Sequence, residues 1–209
     1  MKRWIVSCST LAGLLLFGFG TAFATPTVWS SAVGGNGHAY ELVWFYADKL
    51  TWLESKAEAE TMTFNGATGY LATLTSQAEN EFVTSLLPNT APFRMPLVSL
   101  QWFVGGHQTP GAAEPGGGWT WITGETWNYT NWNTPIQPDN NPYFPLGENA
   151  LSIYSAGAHP GTWNDCPDYT TDMPMEWEQI GGYIVEYSVP EPASLSLLTL
   201  VAGAFIRRR

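Results

Sequence analysis

The sequence predicts an α+β domain, because two capped helices come first and short strands follow them. Helical segments begin after Thr51 and Ser76, and a glutamate stands three residues after each of these N-cap residues. This spacing is that of a capping box. After Pro88 the apolar residues occur in short runs bounded by glycine, which is typical of strands. Helices grouped ahead of strands indicate an α+β arrangement.

The first half of the domain is predicted to alternate strand and helix. One strand passes through Tyr40, Leu42 and Val43, and another lies in the run "GYLATLTS" between the two helices. The residues expected on the inward faces of the helices are Trp52, Ser55, Ala59 and Met62 in the first and Ala78, Phe82 and Ser85 in the second.

The second half is predicted to contain strands and long loops but no helix. The runs "SLQWFVGG", "GWTWITG" and "GGYIVEYS" have the composition of strands. Trp119 and Trp121 are two residues apart, so in a strand they point to the same side.

Both ends of the chain have the composition of processing signals. Residues 1–24 combine a basic start, an apolar run and a small-x-small end at Ala24, which predicts a secretory signal peptide. The apolar run Ala193–Ile206 would span roughly 21 Å as a helix. This is shorter than the ~30 Å hydrocarbon core, and the following arginines would stay in the cytoplasm. The tail therefore predicts transient tethering of an exported domain at the membrane.

The order of Pro190-Glu191-Pro192, the apolar run and the basic end resembles the PEP-CTERM sorting signal of Gram-negative bacteria. The resemblance implies that residues 189–209 are recognised by an exosortase-type membrane protease and removed. It further implies release to the cell surface or the extracellular matrix. The domain itself would then occupy residues 25–188.

Residues 25–188 contain three basic and seventeen acidic side chains, a net charge of −14. Such a charge disfavours nucleic acid and anionic membrane surfaces as partners. The two cysteines are Cys8, inside the signal segment, and Cys166. No disulfide within the domain is therefore expected, and packing must hold the core.

Oxygen-bearing side chains are concentrated in the late loops. Calcium takes six to eight oxygen ligands in a permissive geometry, from carboxylates, amides, carbonyls and water. The three histidines show no paired spacing for a transition metal. These loops therefore predict a calcium site, with Gln137, Asp139, Glu148, Asn164 and Asp165 as its ligands. A cis peptide bond before Pro138 would allow the side chains on either side of it to face one ion.

The order of short motifs resembles that of a C-type lectin-like domain over nearly the whole of residues 25–188. The matching pieces are Thr51-Trp52 with Ser55, "TGYLATL", "WFVGG", "WTWITGETWNYTNW", Gln137-Pro138-Asp139, Glu148 and Trp163-Asn164-Asp165. Any one piece is weak, but seven in order are specific. The resemblance implies a C-type lectin-like fold with two helices, short antiparallel sheets and a long calcium-binding loop region.

The resemblance also implies a ligand. In the family the triplet, the following glutamate and the Asn-Asp pair hold the calcium that contacts sugar, and a Gln-Pro-Asp triplet favours galactose-type glycans. We therefore expect Gln137, Asp139, Glu148 and Asn164 to contact the glycan. Tyr143 and Phe144 lie in the same loop and would either stack on the sugar or pin the loop to the body.

The chain departs from the family pattern at its disulfides. Ala59 and Val185 stand at one pair of cysteine positions, and Ala150 and Asp168 stand at the other. Cys166 lies two positions before the expected cysteine, so we expect it not to be half of that bridge. The long loop thus lacks a covalent clamp, and calcium binding would have to order it.

Three alternatives to a lectin remain open from the sequence. The acidic loop could be solvated without an ion, or the calcium could be structural and support protein or matrix contacts without sugar. A glycosidase with Glu148 and Asp165 as paired carboxylates is the third alternative. The absence of a nucleophile–base pattern favours a binding protein over an enzyme.

Overall fold

The computed structural model describes residues 25–45, 50–88, 100–157, 159–168 and 179–189. The predicted signal segment and the predicted tail from residue 190 onward lie outside these residues. In the part of the chain that is described, no helix is both long enough and apolar enough to span a membrane.

Helix α1 spans Trp52–Ala59 and begins as the sequence predicts. Thr51 accepts a hydrogen bond from the backbone N–H of Glu54, and the Glu54 side chain accepts one from the backbone N–H of Thr51. This reciprocal capping box satisfies two helix-end donors that would otherwise lack partners. Trp52, Ser55 and Ala59 are buried, as expected for the inward face, whereas Met62 lies beyond the helix end.

Helix α2 spans Gln77–Leu86, and its buried face differs from the predicted one. Ala78 and Ser85 are exposed and Phe82 is half-buried. The buried residues are instead Glu79, Asn80 and Val83. The prediction was wrong because it assigned only apolar and small residues to the core.

The two buried polar residues of α2 have partners far away in the chain. Glu79 accepts a hydrogen bond from the Tyr40 hydroxyl (2.7 Å), and Asn80 accepts one from the indole N–H of Trp163 (2.7 Å). A buried polar group costs little when it is hydrogen-bonded. Helix α2 is thus fixed to the sheet by polar as well as apolar contacts.

Nine strands form the sheet within the described ranges. They are β1 Thr27–Val28, β2 Ala39–Trp44, β3 Thr63–Phe64, β4 Ala67–Leu71, β5 Leu100–Gln108, β6 Trp119–Trp121, β7 Ala150–Tyr154, β8 Trp163–Cys166 and β9 Gln179–Tyr187. The main order is β1-β2-β9-β5-β7-β8; β4 also pairs with β9, β3 pairs with β4, and β6 pairs with β5. All pairs among the described strands are antiparallel except β5 with β9, which is parallel. The α+β class is confirmed, but the sheets are not purely antiparallel.

The central strands are buried on both faces. Along β5, Trp102 and Val104 join one core cluster while Phe103 joins the other. Val83 of α2 packs in the first cluster, and Trp52 of α1 packs in the second. Strands covered on both faces lack the polar–apolar alternation of half-buried strands. This explains why β7, whose first four residues are all buried, was not predicted as a strand.

Apolar contacts occupy the places of the missing disulfides. Ala59 and Val185 are both fully buried in one core cluster, as the sequence led us to expect. At the other pair the register differs from expectation, because Cys166, and not Asp168, lies opposite Ala150. The Cys166 thiol donates a hydrogen bond to the carbonyl of Ala150 (3.4 Å).

A buried acidic cluster joins β2, α2 and β9. His38 Nδ1 lies 2.5 Å from Glu186 Oε1, and the Tyr40 hydroxyl lies within hydrogen-bond distance of both Glu79 and Glu186. The hydrogen bond to Glu186 raises the pKa of His38 above its usual value of 6.5, and the charges of Glu186, Glu79 and Glu125 raise it further. Burial and the charge of Glu186 raise the pKa of Glu79. A protonated His38 therefore balances part of the buried negative charge.

We expect the stability of the fold to fall as the pH rises above neutrality. A histidine whose folded-state pKa is raised contributes stability that is complete below pH 6.5 and is lost as the pH passes the raised value. The raised pKa of Glu79 also makes the fold less stable as the pH rises. His38→Gln should lower the unfolding free energy by about 1–3 kcal/mol at pH 5.5 and by much less at pH 9.

Urea denaturation in chelator at both pH values tests this prediction. The exposed His159, which lies outside this cluster, provides the control through His159→Gln. An equal effect of His38→Gln at the two pH values would show that the charge on His38 does not contribute.

Candidate functional site

The candidate site begins where a loop follows the outer edge of β8. Trp132 forms an isolated parallel bridge with Trp163. The N–H of Asn133 donates to the carbonyl of Trp163 (3.0 Å), and the N–H of Trp163 donates to the carbonyl of Asn131 (2.8 Å). The chain after residue 133 therefore continues alongside β8 toward Asp165.

Three predicted ligands meet there. The carboxylates of Asp139, Glu148 and Asp165 offer oxygen atoms that all lie within 4.8 Å of one another. Asp139 comes from the loop, Glu148 precedes β7, and Asp165 belongs to β8. Residues from three separate parts of the sequence thus form one acidic group.

Backbone N–H groups hold two of these carboxylates in place. Asp165 accepts hydrogen bonds from the N–H groups of Asp139 (3.1 Å) and Asn140 (2.8 Å). Glu148 accepts one from the N–H of Asn141 (2.5 Å). The loop backbone therefore orients the acidic side chains before any ligand arrives.

Asn140 makes the turn that permits this arrangement. Its φ is 42°, a left-handed conformation that asparagine tolerates better than most residues. Its side-chain oxygen accepts a hydrogen bond from the N–H of Glu148 (3.1 Å), which ties the loop to the start of β7.

The group is buried and electrostatically costly without a cation. Asp165 is 1 % exposed and Glu148 is 2 % exposed, whereas Asp139 lies at the surface. Burial raises the pKa of Asp165 to about 6, its backbone hydrogen bonds oppose that change, and the charge of Asp139 adds to it. A bound cation would offset the repulsion among three neighbouring carboxylates.

Gln137 adds an amide oxygen to the same region. Gln137 is 8 % exposed, and its Oε1 is buried with no hydrogen-bond partner among the described residues. The peptide bond between Gln137 and Pro138 is cis. A buried acceptor of this kind ordinarily has a partner. Carboxylate and amide oxygens are the kinds of ligand that calcium takes.

Asn164 lies apart from the acidic group. Asn164 and Asp165 are consecutive in β8, so their side chains leave on opposite faces of the strand. The amide nitrogen of Asn164 donates to Gln101 Oε1 on β5 (3.2 Å). The assignment of Asn164 as an ion ligand stays a prediction.

The two loop aromatics differ in their environment. Tyr143 is 88 % exposed, whereas Phe144 is half-buried. Tyr143 is therefore more accessible to an external ligand than Phe144 is.

A second group of ligand-type side chains could not be foreseen from the sequence. His38, Glu79 and Glu186 also offer atoms within 4.8 Å of one another. Glu79 was interpreted only as a helix-capping residue, but its carboxylate accepts from Thr75 and Tyr40. The one available signal was Glu186, an acid inside the apolar run "YIVEY".

Comparison with solved structures identifies the fold. The structure superposes on the C-type lectin CEL-I from Cucumaria echinata with a TM-score of 0.52 and 18 % identity, covering 73 % of this chain and 91 % of that one. It superposes on human lithostathine with a TM-score of 0.50 and 20 % identity, covering 78 % and 87 %. The domain has the C-type lectin fold, as the sequence predicted.

Sequence comparison agrees with this result. Lithostathine from Rattus norvegicus is 27 % identical over 108 residues, and the chain spans somewhat more than half (58 %) of that protein. Lithostathine from Bos taurus is 27 % identical over 106 residues, 54 % of its length. Residues 188–209 match the PEP-CTERM protein-sorting motif. The chain thus combines a domain of C-type lectin-like fold with a C-terminal match to a protein-sorting motif.

Proposed function

We propose that this chain is an exported, calcium-dependent carbohydrate-binding protein of the cell surface or extracellular matrix, with a preference for galactose-type glycans. The observation that carries the proposal is the meeting of Asp139, Glu148 and Asp165 within a C-type lectin fold. Gln137, two residues before Asp139, has a buried side-chain oxygen with no hydrogen-bond partner among the described residues, which supports the proposal.

Calcium suits this site better than other ions do. Its donors are all oxygens, and their combined charge of −3 is reasonable around a divalent cation. Neither histidine nor cysteine belongs to the acidic group, which disfavours zinc and copper. Gln137, Asp139, Glu148 and Asp165 would hold the ion, and the predicted Asn164 would complete the set.

The surface of the site restricts where a sugar can approach. Asp139 and Tyr143 are exposed, whereas Glu148 and Asn164 are buried. The proposal therefore places the glycan on the Asp139 side, with the ring of Tyr143 against its apolar face. Glu148 is assigned to the ion, and a direct contact between Glu148 or Asn164 and the sugar is not supported by their burial.

The order of acid and amide in the triplet is the basis of the galactose preference. A carboxylate only accepts hydrogen bonds, whereas an amide both accepts and donates. Exchanging the acid and the amide across Pro138 reverses the donor–acceptor order presented to two neighbouring hydroxyls. The resemblance to the family links the Gln-Pro-Asp order to galactose-type ligands.

Binding fits the site better than hydrolysis does. Glycosidases need two carboxyl groups on opposite sides of a glycosidic bond, about 5–5.5 Å or 6.5–9.5 Å apart. Glu148 and Asp165 are both buried, and each directs a carboxylate oxygen at a backbone N–H group. Their burial does not favour a glycosidic bond placed between the two carboxylates.

A second candidate is a structural calcium site that supports protein or matrix contacts without sugar. The burial of Glu148 and Asp165 favours it, because an enclosed ion has few positions open to a ligand. The two candidates share calcium and differ only in sugar binding.

Export and surface display complete the proposal. The signal segment would direct secretion, and an exosortase-type protease would remove the tail after transient anchoring in the membrane. Display of many copies on a surface would raise the effective affinity of a weak site.

We expect calcium to stabilise the fold. Extracellular calcium modules bind with a Kd of about 10⁻⁴–10⁻³ M. At 10 mM calcium the unfolding free energy should therefore rise by roughly 1.4–2.7 kcal/mol. Glu148→Gln and Asp165→Asn keep the side-chain shape but remove charge, so each should abolish most of this gain. The exposed Glu81 provides the control through Glu81→Gln.

Chemical denaturation with calcium, with magnesium and with chelator measures this effect. If calcium gives the wild type no gain at this concentration, the calcium site is rejected and the solvated-loop interpretation takes its place.

We expect sugar selectivity to depend on the triplet. The double change Gln137→Glu with Asp139→Asn keeps the oxygen ligands but reverses their order, so it should weaken galactoside binding relative to mannoside binding. Tyr143→Ala should cost about 1 kcal/mol of glycan binding, in the range of aromatic contacts. Tyr143→Phe retains the ring and should bind as the wild type does.

Calorimetry with galactosides and mannosides in calcium tests selectivity. Calcium binding without binding of either sugar would favour the structural alternative. Binding of both sugars with an unchanged ratio in the double variant would show that the triplet does not set selectivity.

We expect the mature protein to begin near Thr25 and to lack the arginine tail. The intact mass of the protein recovered from its native cell surface checks both ends. A mass that still includes Arg207, Arg208 and Arg209 would contradict removal of the tail.

A further inference from the structure

The loop of residues 139–148 is closed at its base by hydrogen bonds of its own. The N–H groups of its first three residues all donate to buried carboxylates, the first two to Asp165 and the third to Glu148. The Asn140 side chain adds another bond, because its Oδ1 accepts from the backbone N–H of Glu148 (3.1 Å). All of these bonds join groups of the chain itself, so the closure of the loop needs no ion.

Asn140 is bonded to both buried acidic residues of the site. Its backbone N–H donates to Asp165 Oδ2 (2.8 Å) on β8, and its side-chain oxygen holds the backbone of Glu148 where the chain enters β7. A backbone N–H can only donate, so the head of the Asn140 amide that faces Glu148 is its oxygen. The two carboxylates are therefore tied to each other through a single residue.

Asparagine meets three requirements at position 140. The left-handed φ of 42° favours asparagine, aspartate or glycine over other residues. Glycine has no acceptor for the N–H of Glu148. Aspartate has one, but it would add a fourth negative charge beside three neighbouring carboxylates. A short, neutral side chain with an oxygen acceptor is what this position needs.

Gly147 allows the loop to close against Asn140. Its φ is 83°, and its N–H donates to the carbonyl of Phe144 (2.9 Å) in a turn just before Glu148. A Cβ atom added to Gly147 would lie 3.3 Å from Asn140 Oδ1 and 3.2 Å from Asn149 Nδ2. The chain thus passes so close to the Asn140 oxygen that there is little room for a side chain at position 147.

We propose that Asn140 is a positioning residue for the metal site, which holds Glu148 and Asp165 in place for one calcium ion before the ion binds. The inference rests on the calcium-binding function proposed above and extends it to a residue that the sequence did not single out. It also reverses an expectation from the sequence, that calcium binding would have to order this loop.

Calcium affinity should depend on the Asn140 oxygen although that oxygen is not assigned to the ion. Without it the N–H of Glu148 loses its acceptor, and the start of β7 is no longer tied to the loop. Calcium binding would then have to order the loop, and such ordering costs binding free energy. Groups that orient a metal ligand typically contribute about 10–100-fold to metal affinity.

The test compares calcium affinities by calorimetry. Asn140→Gly keeps the left-handed backbone accessible but removes the oxygen, and it should weaken calcium binding by about 10–100-fold. Asn140→Asp keeps an acceptor and adds a charge that attracts the ion, so it should bind at least as tightly as the wild type. Asn149→Gly is the matched control. It adds the same flexibility beside Glu148, but the Asn149 side chain bonds to the carbonyl of Leu146 (3.1 Å), so its loss of affinity should be much smaller.

The outcomes separate this inference from the proposed function. A wild type that binds no calcium rejects the proposed function, and the inference with it. A wild type that binds calcium, with unchanged affinity in Asn140→Gly, rejects the positioning role alone. Equal losses in Asn140→Gly and Asn149→Gly would show that loop flexibility is responsible, and Asn140→Asp binding as weakly as Asn140→Gly would show that the oxygen is not. Both results would overturn the inference.

Hydrogen exchange measured by NMR in chelator tests the positioning directly and does not depend on calcium. In the wild type the backbone N–H of Glu148 should exchange slowly, because Asn140 Oδ1 accepts it. In Asn140→Gly this protection should be lost, while the amides of the central strand β5 keep theirs. If the N–H of Glu148 in the wild type exchanges as fast as in an unfolded chain, the inference is wrong, whether or not the variant folds.

Discussion

The edge strand β8 is the constraint on which the site depends. Trp163 stands opposite Ile153 of β7, its backbone N–H and carbonyl bond to residues 131 and 133 on the other side, and its indole donates to Asn80 of helix α2. One residue thus fixes the sheet edge, the loop and a helix relative to one another. Because Asp165 is two positions along the same strand, the carboxylate is placed where the loop backbone can reach it.

Aromatic packing makes this arrangement rigid where the chain has no covalent clamp. The ring of Trp163 lies 5.5–5.8 Å, centroid to centroid, from four neighbouring rings, those of Trp121, Trp127, Tyr129 and Trp132. Large aromatic side chains bury much area and add favourable edge-to-face contacts. The cluster therefore supplies at the base of the loop the order that a disulfide would otherwise provide.

Among the described residues, buried acids form two clusters, and the protein balances their charges differently. In the cluster of His38, Glu79 and Glu186 the positive group is a side chain of the protein itself, supported by the Tyr40 hydroxyl. In the loop site the neighbours of Asp139, Glu148 and Asp165 are backbone N–H groups, which carry only partial charge. The first cluster is suited to holding the fold together, and the second to taking up a cation. The two clusters differ because β2, α2 and β9 bring a histidine to the first, whereas the loop beside β8 brings only backbone N–H groups to the second.

The sequence by itself determined the features that depend on neighbouring residues. The capping box at Thr51 and the shared face of Trp119 and Trp121 follow from short-range spacing, and the concentration of oxygen-bearing side chains in the late loops follows from local composition. The order of short motifs also identified the C-type lectin fold, since that order extends over most of the domain.

Only the tertiary structure decided which residues meet across long separations. Glu79 and Asn80 are buried because Tyr40 and Trp163 offer partners, which no periodicity of α2 reveals. His38 and Glu186 are 148 residues apart and contact through the β2–β9 pairing. Asn164 and Asp165 are adjacent in sequence, but their side chains lie on two faces of β8 because successive side chains of a strand alternate. The parallel pairing of β5 with β9 depends on the path by which the chain crosses the sheet.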